Sequence, residues 1–201
     1  MNKKGLILQH SKEKLNVYEK YLKAYLSIMI NIPNFDKIYV IDPFAGQGIS
    51  DNGEKGSALI AKGVIDDLDT ISERNNKKIY LILNEYEKES YNSLIRYFSD
   101  KKEKIQIFNY DANIFIKNIL LKNNNRGHRM FFIDPWGYTQ IKSETYEQLF
   151  KSMHLELLIF IPTFNIYRFL RKNDNEQLKP IAQFLCDMGI NGEYVKNVQT
   201  D

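Results

Sequence analysis

A chain of 201 residues with 43% hydrophobic content can bury one good core and is too short for two comfortable ones. Its net charge of +3 is too small to imply a nucleic-acid partner, and its single cysteine, Cys186, in an apolar helical pattern with Phe184, Leu185 and Met188, excludes an internal disulfide or a cysteine-based metal site. No stretch approaches the roughly 20 apolar residues of a membrane span, and no signal or anchor is visible, so the expectation is a cytoplasmic chain without membrane contact.

In chain order, Ser11 to Ile30 spaces Leu15, Tyr18, Leu22, Tyr25, Leu26 and Met29 three or four apart, which predicts an amphipathic helix with aromatic and aliphatic core anchors. Lys37 to Ile41 then reads as a buried strand that stops at a Gly-rich turn, Asp42-Pro-Phe-Ala-Gly-Gln-Gly48. Further strands are predicted at Ile79 to Leu83, Ile105 to Phe108, Met130 to Ile133 and Leu157 to Ile161. Helices are predicted between them at Ser57 to Leu68, Glu87 to Phe98, Asn113 to Leu121 and Glu144 to Met153. Phe164 to Lys172 and Glu176 to Met188 have room for two more helices.

Most of these strand runs are continuously apolar, which predicts burial on both faces. The repeated strand, helix, strand order therefore points to an α/β fold with a mostly parallel sheet and helices on both faces. Residues 1–34 would be a helical segment packed on a domain of residues 35–201. No convincing strand follows the fifth, so the expectation is a sheet cut short of its final hairpin.

In such a sheet, ligands bind at the carboxyl ends of the strands. Four successive strands end in polar residues: the Asp42 turn, Asn84-Glu85, Tyr110-Asp111-Ala112, and Asp134-Pro-Trp-Gly137. Gly46 and Gly48 can take positive φ and let the backbone approach a ligand. The turn lacks the third glycine of the dinucleotide fingerprint and carries an acid before the glycines, which suits a cationic amino-acid group better than a pyrophosphate. Glu85 is placed to accept the hydroxyls of a ribose. Each position also has an ordinary explanation, since glycine turns are common loop chemistry and an acid after a strand often caps a helix.

The run Tyr39-Val-Ile-Asp-Pro-Phe-Ala-Gly-Gln-Gly48, followed by Gly56-Ser-Ala-Leu-Ile-Ala61, resembles the three-Cys-motif partner (TcmP) proteins. His10-Ser-Lys with Lys14-Leu, Tyr18 and Tyr21-Leu, Glu85, Asp111-Ala112 and Asp134-Pro-Trp-Gly137 fall where that family has similar elements, so the likeness covers about His10 to Ile161. It implies a Rossmann-like class I methyltransferase fold that binds S-adenosylmethionine, in proteins of phage or mobile-element neighbourhoods beside a radical-SAM-like partner protein. Carried over by position, Asp42, Phe44, Ala45, Gly46 and Gly48 would line the methionine part, Glu85 the ribose, and Asp111 with Ala112 the adenine. Ser57 would cap the following helix. The chain departs from the pattern at Ala58, where the family has proline, and is shorter than typical members.

Asp134, Pro135 and Trp136 stand where amino-methyltransferases hold the acceptor with an acid, prolines and an aromatic ring; here the second proline is missing. Trp136 or Tyr138 would then stack on a flipped base, although the same turn also serves as a tight bend with a structural aromatic. A nucleic-acid acceptor would be supported by Lys117, Lys122, Arg126, His128 and Arg129 near one crossover and by Arg168, Arg171 and Lys172 later, unless these are simply solvated faces. His10, His128 and His154 lack metal-ligand spacing, and no metal is expected. Two functions follow: a methyltransferase of unread acceptor, nucleic acid favoured, or an inactive methyltransferase-like scaffold. A nucleotide-binding oxidoreductase is disfavoured by the missing glycine.

Overall fold

The computed structural model describes residues 9–98, 103–121, 127–137 and 140–161, with residues 9 and 10 as backbone only. Ten elements alternate along it: α1 (Gln9–Met29), β1 (Lys37–Asp42), α2 (Ser57–Arg74), β2 (Lys78–Asn84), α3 (Lys88–Arg96), β3 (Ile105–Phe108), α4 (Ala112–Leu121), β4 (Gly127–Ile133), α5 (Ser143–Lys151) and β5 (Leu155–Ile159). The five strands form one sheet in the order β3-β2-β1-β4-β5, and every pair is parallel. This is the α/β architecture expected from the sequence, with helices on both faces.

The two-residue alternation of each strand divides the core. Ile38, Val40, Ile79, Leu81, Leu83, Met130 and Phe132 face one layer, where Tyr18, Leu22 and Leu26 of α1, Ala58, Ala61 and Val64 of α2, and Leu94 of α3 meet them. Ile41, Ile82, Phe131 and Ile133 face the other, against Phe115, Ile116 and Ile119 of α4 and Tyr146 and Leu149 of α5. Helix α1 is therefore part of the main core. It descends along β4: Lys14 reaches Asp134 just beyond the carboxyl end, Tyr18 stacks on Phe132 with ring centres 4.0 Å apart, and Tyr25 Oη lies 2.7 Å from Nδ1 of His128 near the amino end.

Most boundaries agree within two residues, and three starts or ends have a visible physical reason for differing. Helix α2 continues to Arg74, six residues past the predicted end, and Lys104 at the foot of β3 pairs with its Asp69 at 2.8 Å and Glu73 at 3.1 Å. Strand β4 starts at Gly127 instead of Met130, because Gly127 already pairs with Lys37. Strand β5 begins at Leu155, two residues before the apolar run, with Leu155 opposite Arg129. The helices predicted at 164–172 and 176–188 lie outside the described residues, as does Cys186.

If α1 is built into the domain as this packing requires, Leu22→Ala, which empties a fully buried position, lowers unfolding free energy by about 2–5 kcal/mol. Urea denaturation of the whole chain checks this. A loss below about 1 kcal/mol would mean that α1 only rests on the surface.

Candidate functional site

The crossovers from β1 to β2 and from β4 to β5 run outward in opposite directions, so the loops leaving these two adjacent strands diverge, the arrangement that opens a crevice at the end of a parallel sheet. Asp42, the last residue of β1, and Asp134, which follows β4, stand at this switch point. By alternation from Val40 and Phe132, both belong to the sheet face covered by α1 and α2.

Asp42 is fully buried. Its Oδ1 accepts from the Phe44 amide at 2.9 Å and its Oδ2 from Ser57 Oγ at 2.6 Å. Ser57 thus serves the carboxylate and does not cap α2 as expected; the N-cap is Gly56, with no side-chain cap. Desolvation pushes the Asp42 carboxyl up to about 7, the two hydrogen bonds oppose the rise, and Asp134 and Glu85 add to it by repulsion.

The turn after Asp42 is held from β2. Ala45 donates its amide to the Asn84 carbonyl at 3.0 Å, and Gly46 donates to Glu85 Oε2 at 2.8 Å. Gly46 has φ +65°, and a Cβ built on it would meet nothing within 4 Å, so the α-carbon faces open space. Gly48, at φ +89°, is different: a Cβ there would come within 2.8 Å of the Tyr97 ring, so its bare α-carbon is needed for packing against the end of α3. Gly48 also accepts from the Gly56 amide at 2.7 Å, which closes the loop ahead of α2. Phe44 packs on the opposite core, beside α4 and α5.

Asn84 was named in the sequence only as a polar strand end, but it joins three strands. Fully buried, it donates from Nδ2 to the Pro43 carbonyl at 3.2 Å and the Tyr110 carbonyl at 3.0 Å, and accepts from the Tyr110 amide at 3.0 Å. Glu85 uses its second oxygen to accept from the Glu87 amide at 2.8 Å, and burial raises its pKa. Each of its oxygens keeps a lone pair for a hydroxyl. Asp111 caps α4, accepting at Oδ1 from the amides of Asn113 at 2.9 Å and Ile114 at 3.2 Å, while Ala112 is buried at the first turn.

Beyond β4, Asp134 receives the Lys14 ammonium on both oxygens, at 2.7 and 2.5 Å. Sequence reasoning saw Lys14 only within a family pattern. The physical signal was a cation four residues before Tyr18, on the helix face that carries the core anchors. Pro135 leads to Trp136, whose amide donates to Gln140 Oε1 at 2.6 Å and whose ring is 81% exposed. Tyr86 and Tyr110, after the neighbouring strands β2 and β3, are also exposed, on the other side of β1 from Trp136. Tyr138 lies outside the described residues.

Of the basic residues expected near the fourth strand, Lys117 is exposed on α4, while His128 and Arg129 lie within β4. His128 is inside β4 against Tyr25 and the edge of the Phe35 ring, and Arg129 donates from Nη2 to the Met153 carbonyl at 3.3 Å. Both are consumed by packing because β4 starts earlier than its apolar run. Lys122, Arg126, Arg168, Arg171 and Lys172 lie outside the described residues, as does the His10 side chain. Among the described residues no group of three or more His, Cys, Asp or Glu side chains is placed to hold a metal ion, and no helix is long and apolar enough to cross a membrane.

An all-parallel five-stranded sheet with helices on both faces and a crevice at its switch point defines a Rossmann-like α/β domain. The fold is similar to the crystal structure of a Legionella pneumophila str. Philadelphia 1 protein of family model DUF519, with 16% sequence identity, a TM-score of 0.51, and coverage of 85% of this chain and 73% of that one. No family model and no curated protein matches the sequence.

The buried Asp42 carboxyl gives a pH test of this geometry. Its pKa rises from the ordinary 3.8 to about 7 on folding, so the native state keeps a proton that the unfolded chain has lost. Stability from this group is therefore full below about pH 4, falls as pH rises to about 7 and is level above. Asp42→Asn removes that slope: its unfolding free energy exceeds the parent's by up to about 4 kcal/mol at pH 8, and the gap closes by pH 4. Denaturation at both pH values checks this; a gap that stays the same from pH 8 to pH 4 would show that Asp42 is ionised in the fold.

Proposed function

We propose that the chain binds S-adenosylmethionine in the β1/β4 crevice and acts as a methyltransferase, with the amino group of a nucleobase as its favoured acceptor. The observation that carries the reading is the Gly46 cradle beside Asp42: an α-carbon in positive φ facing open space, next to a buried carboxyl that gains by holding a cation. The strand order, Glu85 with hydroxyl-accepting capacity one strand away, and the resemblance to the three-Cys-motif partner proteins support the same ligand.

On this reading Asp42 and the turn from Phe44 to Gly46 hold the amino-acid end, Glu85 the ribose, and Asp111 with Ala112 the purine. When bound, the cofactor supplies a methyl group on a sulfonium, and methyl transfer leaves a neutral thioether. Asp134 orients the acceptor. Lys14 takes one lone pair on each of its oxygens, which leaves acceptor capacity for an incoming N–H. The exposed ring of Trp136 supplies a stacking face beside that carboxylate. Positioning the acceptor against the methyl group accounts for most of the acceleration.

A second reading, an inactive methyltransferase-like scaffold, is favoured by one observation: the Lys14 ammonium already sits where an acceptor amine would. Both readings predict cofactor binding, and transfer separates them.

Calorimetry with S-adenosylhomocysteine should give saturable one-site binding. Gly46→Ala, whose methyl enters the open space at φ +65°, should weaken it at least tenfold, with an added stability loss of about 1 kcal/mol from the left-handed backbone. Unchanged affinity would move the ligand away from this turn.

With labelled S-adenosylmethionine and pooled RNA and DNA, Asp134→Ala should retain binding within about threefold while transfer falls by two orders of magnitude or more. Equal loss of both would reassign Asp134 to holding the cofactor, and no transfer by the parent chain to any pool would favour the scaffold.

A further inference from the structure

Helix α1 carries three tyrosines, and two of their hydroxyls are paired: Tyr21 donates to Glu156, and Tyr25 bonds to His128. The third is not. Tyr18 is fully buried, and its hydroxyl has no hydrogen-bond partner. Such a group gives up its water with nothing in return, and phenylalanine would fill the same core position without that cost. Stacking on Phe132 uses the ring alone.

The hydroxyl is also at a particular level of the sheet. Ile41 pairs with Phe131, so the following residues, Asp42 and Phe132, lie abreast on neighbouring strands. Both belong to the face under α1 and α2, and the Tyr18 ring covers Phe132 there. One helical turn earlier, Lys14 contacts Asp134. Burial, with Asp42 as the charge that adds to it, holds the Tyr18 phenol well above its usual range, so the group stays protonated and neutral. A neutral phenol oxygen offers two lone pairs as well as its proton.

We propose that Tyr18 is a ligand-binding residue, its hydroxyl oxygen and the Asp42 carboxylate together receiving the α-ammonium of the bound cofactor. An ammonium carries three donors, more than one carboxylate with two oxygens already accepting from Phe44 and Ser57 can satisfy. Tyr18 supplies the further acceptor from the opposite wall, and α1 becomes one side of the site. The inference rests on the cofactor reading above and deepens it.

The test is calorimetry of the full-length parent and Tyr18→Phe with two ligands, S-adenosylhomocysteine and 5′-methylthioadenosine, which lacks the amino-acid end, together with the melting temperature of each free protein. The expected result is a loss of about tenfold in affinity for S-adenosylhomocysteine, as for a lost hydrogen bond to a charged group, no change for 5′-methylthioadenosine, and a melting temperature equal to or above the parent's. Tight binding of S-adenosylhomocysteine by both proteins would overturn the Tyr18 assignment and leave the cofactor reading standing. Equal weakening toward both ligands with a lower melting temperature would assign Tyr18 to packing. Failure of the parent itself to bind S-adenosylhomocysteine would overturn the cofactor reading and this inference with it.

Discussion

Because β1 is the central strand, parallel pairing with β2 on one side and β4 on the other pins its carboxyl end, and Asp42 has only the layer beneath α1 and α2 to enter. A carboxyl placed there loses water on every side, so it has to be met by donors or keep its proton. Both happen. Ser57 and the Phe44 amide each supply a hydrogen bond, which fixes the start of α2 and the direction of the turn, and the pKa still climbs to about 7. The turn beyond that group takes a left-handed bend at Gly46, whose amide donates to Glu85.

The layout of the fold was legible because both of its periodicities are clean. Three- and four-residue spacing in α1 marked the buried side of the helix, and unbroken apolar runs marked strands covered on two faces. What failed was the ends. Gly127, His128 and Arg129 do not look like strand residues, yet pairing with Lys37, Ile38 and Tyr39 fixes them in β4. Edge register is set by the neighbouring strand, which a pattern read along one segment cannot contain.

The site was legible in part, and the division is physical. Residues at strand ends were found because the parallel topology sets them along one edge of the sheet: Asp42 closes β1, and Glu85, Asp111 and Asp134 follow β2, β3 and β4. The side chain that reaches Asp134 from α1 was not, since its only local mark is that Lys14 stands four residues before Tyr18 on the face of the core anchors, and one lysine at that spacing does not name its partner. Ser57 was assigned to the wrong partner for a related reason. A serine opening a helix caps its own backbone by default, and here a buried carboxylate fifteen residues earlier in the chain competes and wins.

Charge then limits what the crevice can accept. Among the described residues, Asp42, Glu85 and Asp134 set three carboxyl groups against one ammonium, that of Lys14 on Asp134. Glu85 and Asp134 already push the Asp42 pKa upward, so an incoming anion would face the same repulsion, while a cation would relieve it and drive the proton off Asp42. A sulfonium with an α-ammonium fits this field; a phosphate does not. If the acceptor is a nucleic acid, its backbone must therefore stay outside the carboxylates and only a neutral base can enter. Trp136 exposes its ring just beyond β4, two residues after Asp134. Stacking on that ring requires no charge, so the surface that would recognise the acceptor is compatible with a crevice that rejects its phosphates.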